Sequence, residues 1–228
     1  MVLITPIVVG IAGGSGSGKT TLSRAVVDAL GGAEKVTYIC HDYYYKDLSH
    51  LPTEDRAQTN FDHPDALETS LLVGHLAVLK AGGSADVPTY DFTIHSRTSQ
   101  TIRAEGKGVI IVEGILIFAH PDLRDLFDVK VFVDTEPDIR FIRRMQRDIS
   151  QRNRTADEVV AQFLATVRPM HELFVTPSKK FCDMIVPDGF NPVVLDMIVA
   201  KLRPHAELAG AVEAGEAEDA ARVATPIA

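Results

Sequence analysis

Short runs of branched apolar residues recur along this chain, and most of them stop at a glycine or an acid. Ile7-Val8-Val9-Gly10-Ile11 is the first, bounded by glycine as a buried parallel strand is, and it predicts a core strand rather than a leader segment, since no basic stretch precedes it. Val36 to Cys40 ends at His41-Asp42, Val109 to Val112 at Glu113-Gly114, Lys130 to Val133 at Asp134, and Asp183 to Val186 closes the series. Between them the apolar period lengthens to that of helices: about Gly18 to Leu30, ended by Gly31-Gly32; Ala66 to Lys80, ended by Gly82-Gly83; Thr135 to about Ile149; Thr155 to Val167, stopping before Pro169; and Pro192 to Leu202. In the third of these, Thr135 is expected to cap the helix, with Pro137 in its first turn and Asp138 near its dipole.

Two stretches break the rhythm. Tyr43 to Pro64 is polar and aromatic without a sustained period and predicts a long functional loop, with at most a helical turn. Val87 to Arg103 holds β-rich pieces around Pro88-Thr89-Tyr90-Asp91-Phe92 and Thr98 to Ile102, an antiparallel excursion from the main sheet. The alternation of strand and helix elsewhere predicts an α/β fold, a parallel sheet with helices on both faces, in one domain over residues 1–204. From His205 to the end the chain is Ala/Glu-rich, and a frayed helix or disordered tail is expected over residues 205–228.

Composition narrows the class of protein. With 46% hydrophobic and 24% charged residues, the 228-residue chain is ordinary globular material with no apolar stretch near bilayer length. The formal net charge of −8 argues against general attraction to nucleic acid or to a membrane surface. Cys40 and Cys182 have no metal or redox spacing and suggest no disulfide, so a cytoplasmic setting is expected.

Between the first strand and the first helix lies Gly13-Gly14-Ser15-Gly16-Ser17-Gly18-Lys19-Thr20, which fits G-x-x-x-x-G-K-[ST]. Glycines allow successive backbone N–H groups to converge on phosphate oxygens, and the following helix adds its positive end. Lys19 reaches the β- and γ-phosphates, the Thr20 hydroxyl can ligate Mg²⁺, and Thr21 lies in the same turn. The alternative, a glycine turn with a chance lysine, does not account for the full match in this context. A Rossmann reading fails because lysine stands where its third glycine belongs. The fold is therefore expected to be of the P-loop NTPase type.

Ligands of open α/β sheets sit beyond the carboxyl ends of the strands. Asp42, Glu113 and Asp134 all stand there. Asp42 is the candidate general base and touches the metal shell; Glu113 resembles an acid that holds Mg²⁺ directly or through water; Asp134 more simply orients the next turn. A strand-end acid can also cap a helix or face solvent, but a phosphate loop needs a metal and a group that positions the nucleophile. Arg140, Arg143, Arg144, Arg147, Arg152 and Arg154 crowd fifteen residues, offset only by Asp138 and Asp148. Their spacing puts Arg140, Arg143/Arg144 and Arg147 on one helix face, a lid that would close over a triphosphate. A solvated face and a nucleic-acid patch are the competing readings; no aromatic-rich basic surface supports the latter.

Taken together, several motifs resemble the uridine-cytidine kinase family from about Ile7 to Leu202: the phosphate loop, His41-Asp42-Tyr43-Tyr44-Tyr45-Lys46-Asp47, Asn60-Phe61-Asp62-His63-Pro64-Asp65, Pro88-Thr89-Tyr90-Asp91-Phe92, Glu113-Gly114-Ile115-Leu116 and Arg143-Arg144-x-x-Arg147-Asp148. The resemblance implies a kinase that moves the γ-phosphoryl group of ATP, or of GTP, with Mg²⁺, to the 5′-hydroxyl of uridine and cytidine in pyrimidine salvage. It implies Asp42 as catalytic base, with Lys19 and Arg147 at the transferring phosphate and Arg147 and Arg152 on the donor. It further implies Asp62 and Arg144 on the ribose hydroxyls, Arg154 and Gln162 at the nucleoside, Tyr90 and His95 on the pyrimidine edge, and Tyr45, Phe61 and Phe92 as pocket walls. His63, before Pro64, reads as a turn-stabilising residue. The family points to a homotetramer.

Two departures stand out. Gln151-Arg152-Asn153-Arg154 replaces the family's Glu-Arg-Gly-Arg, a turn that asparagine can preserve because it tolerates left-handed geometry. Pro187-Asp188-Gly189-Phe190-Asn191 is one residue shorter than the family's loop near the donor and carries an acid where the family has a base, which bears on the choice of ATP or GTP. The competing functions are a related P-loop kinase for another small alcohol, of phosphoribulose or pantothenate type, and a nucleotide-binding regulator without catalysis. Retention of Lys19, Asp42 and Glu113 argues against the regulator.

Overall fold

The computed structural model describes residues 5–56 and 58–223; the last five residues of the expected tail lie outside it. Strands β1 (Ile7–Gly13), β2 (Val36–Cys40), β5 (Val109–Gly114), β6 (Val129–Asp134) and β7 (Met184–Pro187) form one sheet in the order β2-β5-β1-β6-β7, every pair parallel. Between β2 and β5 in sequence, β3 (Ser84–Asp91) and β4 (Ser96–Glu105) make a separate antiparallel pair. The helices, in chain order, are α1 (Lys19–Ala29), α2 (Thr53–Arg56), α3 (Thr69–Lys80), α4 (Pro121–Arg124), α5 (Pro137–Arg152), α6 (Ala156–Gln162), α7 (Arg168–Met170), α8 (Thr176–Ser178) and α9 (Pro192–Val223).

The central strands are buried on both faces, so their apolar runs are continuous, and alternate residues feed two cores. Val8 and Ala12 of β1 face Leu72, Leu76 and Leu79 of α3 and Leu123 of α4. Ile7, Val9 and Ile11 face Leu22 and Val26 of α1 and Ile198, Val199 and Leu202 of α9. The predicted α/β architecture, helices on both faces and antiparallel excursion included, is the one observed.

Four local expectations are corrected. The helix expected from Ala66 begins at Thr69, because Pro64–Ala66 is a single 3₁₀ turn and Leu67 is extended, bridging Tyr45. Thr135 does not cap α5: its hydroxyl donates to the Ser17 carbonyl of the phosphate loop at 2.8 Å, and Glu136 occupies the cap position. Helix does not stop before Pro169. After α6 the chain passes through two π turns, Phe163–Val167 and His171–Val175, and stays helical to Phe181. In each, an N–H reaches five residues back, Arg168 to Phe163 and Thr176 to His171, immediately ahead of Pro169 and Pro177. The wider turn shifts the carbonyl that the proline ring would strike. The last helix continues past Leu202 and Pro204 to Val223. Leu202 and Ala206, one turn apart, are both about fully buried in the second core, and the Ala/Glu-rich sequence favours helix.

Candidate active site

The phosphate loop turns where Gly16 (φ +79) and Gly18 (φ +94) adopt left-handed geometry, and a side chain at Gly16 would strike the Arg140 backbone. The loop closes on itself through Ser17 N–H to the Gly14 carbonyl, 3.1 Å, and leads into α1 without a side-chain cap, leaving N–H groups free at the helix start. Gly13, Gly14 and Ser17 are buried, Ser15, Gly16, Gly18 and Thr20 half-buried, and Thr21 exposed on the first turn of α1.

Parallel register sets the end of β5 beside β1 and β2: Glu113 lies level with Ile11 on one side and Cys40 on the other. Its Oε1 accepts from the Thr20 hydroxyl at 2.9 Å and the Tyr38 hydroxyl at 3.1 Å, while Oε2 lies 3.9 Å from Lys19 Nζ with no hydrogen bond. Burial, then the nearby carboxylate of Glu113, pushes the Tyr38 phenol well up, so it remains a donor. Beyond β2 the chain turns through a 3₁₀ segment, His41–Tyr44, which carries Asp42 with its Oδ1 buried and unpartnered. That turn packs closely because Gly114 follows Glu113; a Cβ there would lie 2.6 Å from His41 Cβ. His41 is fully buried, bonds Thr69 Oγ1 at 3.2 Å, and is held by burial at a pKa of about 4.

A cavity of about 290 Å³ opens between this corner, the β3–β4 hairpin and the far end of α5. Lys19, Ser15 and Asp42 line one end. Tyr45, Phe61, Tyr90, Phe92 and His95 wall the other, in a chain of ring contacts: Tyr45–Phe61 at 5.1 Å, Tyr45–Tyr90 at 5.2 Å, Tyr90–Phe92 at 5.1 Å, and Phe61 stacked on His95 at 5.2 Å. The hairpin reaches the cavity because Arg97 ties it to Glu68 at 2.7 Å and to the Tyr44 carbonyl at 3.2 Å. A bulge between Pro88 and Tyr90 aims Tyr90 inward, with its hydroxyl buried and unpartnered. His95 sits at φ +49 in the hairpin turn; burial, then Arg154 and Arg152, lower its pKa, which keeps the ring neutral at pH 7.

Asp62 is buried beside the same cavity, and burial raises its pKa while Arg144 opposes the shift. Arg144 donates to Ser15 Oγ and to Gln162 Oε1, both at 2.9 Å, and Arg154 donates to the same Gln162 oxygen. Arg147 and Arg152 complete the wall, Arg152 lying 4.9 Å over the Phe92 ring. Asn153 takes the left-handed conformation (φ 52) that ends α5, as the turn requires.

Every residue proposed from sequence for the acceptor side lines this one cavity, together with Lys19, Asp42, Arg147 and Arg152. The expected arginine face is corrected. Arg140 turns beneath the phosphate loop, bonding the Thr135 carbonyl at 3.0 Å, and Arg143 lies toward the Gly18–Gly189 contact. Only Arg144 and Arg147 of that face reach the cavity, joined by Arg152 and Arg154 from the turn. His63 stabilises its turn as expected, accepting from Asp65 N–H at 3.1 Å. Asp134 accepts from Lys179 at 2.7 Å, away from the cavity. Sequence reasoning gave Asp148 no site role, quoting it only as a charge offset and as the last residue of the Arg143-Arg144-x-x-Arg147-Asp148 motif; it is fully buried and faces four arginines. It also missed Thr93 and Glu158 in the lining. A capping box, Thr155 with Glu158, was the available signal for the second.

A family model described as phosphoribulokinase/uridine kinase matches residues 8–193. The chain belongs to that family. It is 54% identical over 198 residues to a uridine kinase of Chloroflexus aurantiacus, covering 86% of this chain and 94% of that protein. It is 52% identical over 199 residues to a uridine kinase of Geobacillus kaustophilus, covering 87% and 94%. Among solved structures, D-glycerate 3-kinase of Cryptococcus neoformans shares the fold, with a TM-score of 0.57 at 20% identity over 75% of this chain and 79% of that one. No helix among the described residues is long and apolar enough to cross a membrane.

Proposed function

We propose that the protein is an ATP-dependent uridine/cytidine kinase, giving UMP and CMP. The observation that carries this reading is the single cavity in which Lys19 and Asp42 share a space with Asp62, Arg144, Gln162 and five aromatic or imidazole rings. A phosphorylated sugar or a short alcohol has no use for so many rings; a flat base does. The hydroxyl-binding end suits a ribose, whose vicinal hydroxyls donate to the buried Asp62 carboxylate, with the Arg144 charge near enough to favour its ionised form. Tyr90 and the neutral His95 can each present a donor or an acceptor to the pyrimidine edge, which supports acceptance of both bases.

In the reaction, the 5′-oxygen attacks the γ-phosphorus as Asp42 takes its proton; the bond to the β–γ bridging oxygen breaks and ADP leaves with that electron pair. Lys19 and Arg147 offset the charge that develops on the transferring group, and Gly13 to Thr21 with Arg152 hold the donor. The buried, unpartnered oxygens of Glu113 and Asp42 fit a divalent cation, which Thr20, Glu113 and Asp42 would hold and which supplies neutralisation of phosphate charge. Residues 1–204 carry this chemistry as one kinase domain, and α9 runs on past that boundary to Val223. The same reading makes the protein a cytoplasmic salvage enzyme and a homotetramer, to be tested by its sedimentation mass.

A coupled ADP-release assay with uridine, cytidine, ribulose 5-phosphate and pantothenate tests the reading. Turnover with the two nucleosides alone supports it. Turnover with either of the other alcohols and not with nucleosides would replace it, and no turnover at all would favour a regulator.

A further inference from the structure

Asp148 has no part in the chemistry above, yet it is wholly removed from water and four guanidiniums converge on it. They divide by oxygen. Oδ1 accepts from Arg147 Nε at 2.9 Å, has Arg147 Nη2 at 2.8 Å, and lies 3.5 Å from Arg152 Nη1. Oδ2 faces Arg144 Nε at 3.5 Å and Arg154 Nη1 at 4.0 Å and makes no hydrogen bond. Arg144 and Arg154 meet again on Gln162 Oε1. Four like charges on one cavity wall repel one another, and without a buried anion between them they would turn outward to solvent. Arg152 registers the crowding: burial first, then Arg147, lowers its pKa.

We propose that Asp148 is a positioning residue that holds the two arginine pairs in place along the wall that nucleoside and phosphates share. Oδ2 sets Arg144, which also bonds Ser15 of the phosphate loop, with Arg154; Oδ1 sets Arg147 with Arg152, which also lies over Phe92. One carboxylate thereby couples the acceptor and donor halves of the site. The naming of the two halves rests on the function proposed above; the partition by oxygen does not.

Asp148→Asn keeps the shape and removes the charge. The KM values for nucleoside and for ATP are both expected to rise about tenfold, with a smaller change in kcat, whereas Arg154→Met raises the nucleoside KM alone. Arg147 and Arg154 ion-pair with opposite oxygens of Asp148, which is thus the partner they share. The double variant Arg147→Met/Arg154→Met is expected to depart about threefold or more from the product of the single effects. A folded Asp148→Asn with a lowered thermal midpoint but unchanged KM values would reduce Asp148 to a structural ion and overturn the proposal. Independent effects of Arg147 and Arg154 would overturn it as well, and that pair decides the matter if Asp148→Asn does not fold. Should the wild type phosphorylate no nucleoside, the functional reading fails by itself. Calorimetry with a non-hydrolysable ATP analogue then still tests Asp148: weakened binding in Asp148→Asn supports the proposal, and unchanged binding overturns it.

Discussion

Glu113, at the end of β5, and Asp148, on α5, are both buried carboxylates that stand behind the same cavity, each against residues that line it, and their surroundings are opposite. Around Glu113 the hydrogen-bond donors are neutral, the hydroxyls of Thr20 and Tyr38 and the Cys40 thiol, all on one oxygen, and the other oxygen stays unbonded 3.9 Å from Lys19. Around Asp148 all four close partners are guanidiniums. A carboxylate solvated by neutral donors keeps its charge available to a cation. One ringed by arginines has its charge matched several times over, and the surplus around it is positive, suited to an anion. The cleft thus carries a cation-seeking corner and an anion-seeking wall, and Asp42 stands in the space that they share.

The comparison can be broken most sharply at that shared point. Asp42→Asn is expected to lower kcat by about 10²–10⁴-fold while nucleoside binding, measured by calorimetry, is retained. Near wild-type turnover would take the base away from the space between the two regions. Next in size, Glu113→Gln should raise the Mg²⁺ concentration for half-maximal activity by about 10–100-fold and leave the nucleoside KM unchanged. A variant that instead weakens nucleoside binding would erase the distinction between the corner and the arginine wall.

A smaller effect is expected from the substrate side. 2′-Deoxyuridine leaves Asp62 one donor short, and kcat/KM should fall about fivefold or more relative to uridine. Equal efficiencies would remove Asp62 from the ribose. The smallest effect concerns stability. His41 is held at about 4 in the folded protein, below its ordinary value of 6.5, so the unfolded chain binds the additional proton first. Its contribution is complete above about 6.5 and is lost as pH falls through about 4. The thermal midpoint should therefore decline across that interval, and His41→Gln should flatten the decline; an identical slope in the variant would place the titration elsewhere, with His171 the next group to change.

What could be read from the chain follows the range of the interactions involved. The phosphate loop, the buried strands and the acids at their ends are contiguous in sequence, and the structure agrees with each of them. The hairpin and its ring contacts were legible through the Pro88–Phe92 motif, although nothing local announces that Arg97 ties it to Glu68. Thr135 looked like a cap because caps are local; its hydroxyl serves Ser17, 118 residues away in sequence, and that bond belongs to the packed structure. Pro169 looked like a stop because the wide turn that accommodates it has no sequence signature. Asp148 looked like an isolated acid among bases because a count of charges does not say which of them meet.

The anchoring of α5 has a consequence for which changes the helix can absorb. Its first turns are fixed against the phosphate loop, by Thr135 on Ser17 and by the buried Arg140, while its last turns carry Asp148 and Arg152 on the cavity side. Each residue advances a helix by about 100°. A single residue inserted between Arg140 and Arg144 would leave the anchored end where it is and swing Asp148 and its arginines about a quarter of the way around the axis, with every side chain still present. The length of this segment is therefore constrained more tightly than the identity of its outward-facing residues, such as Ile142 and Ile149, which are exposed.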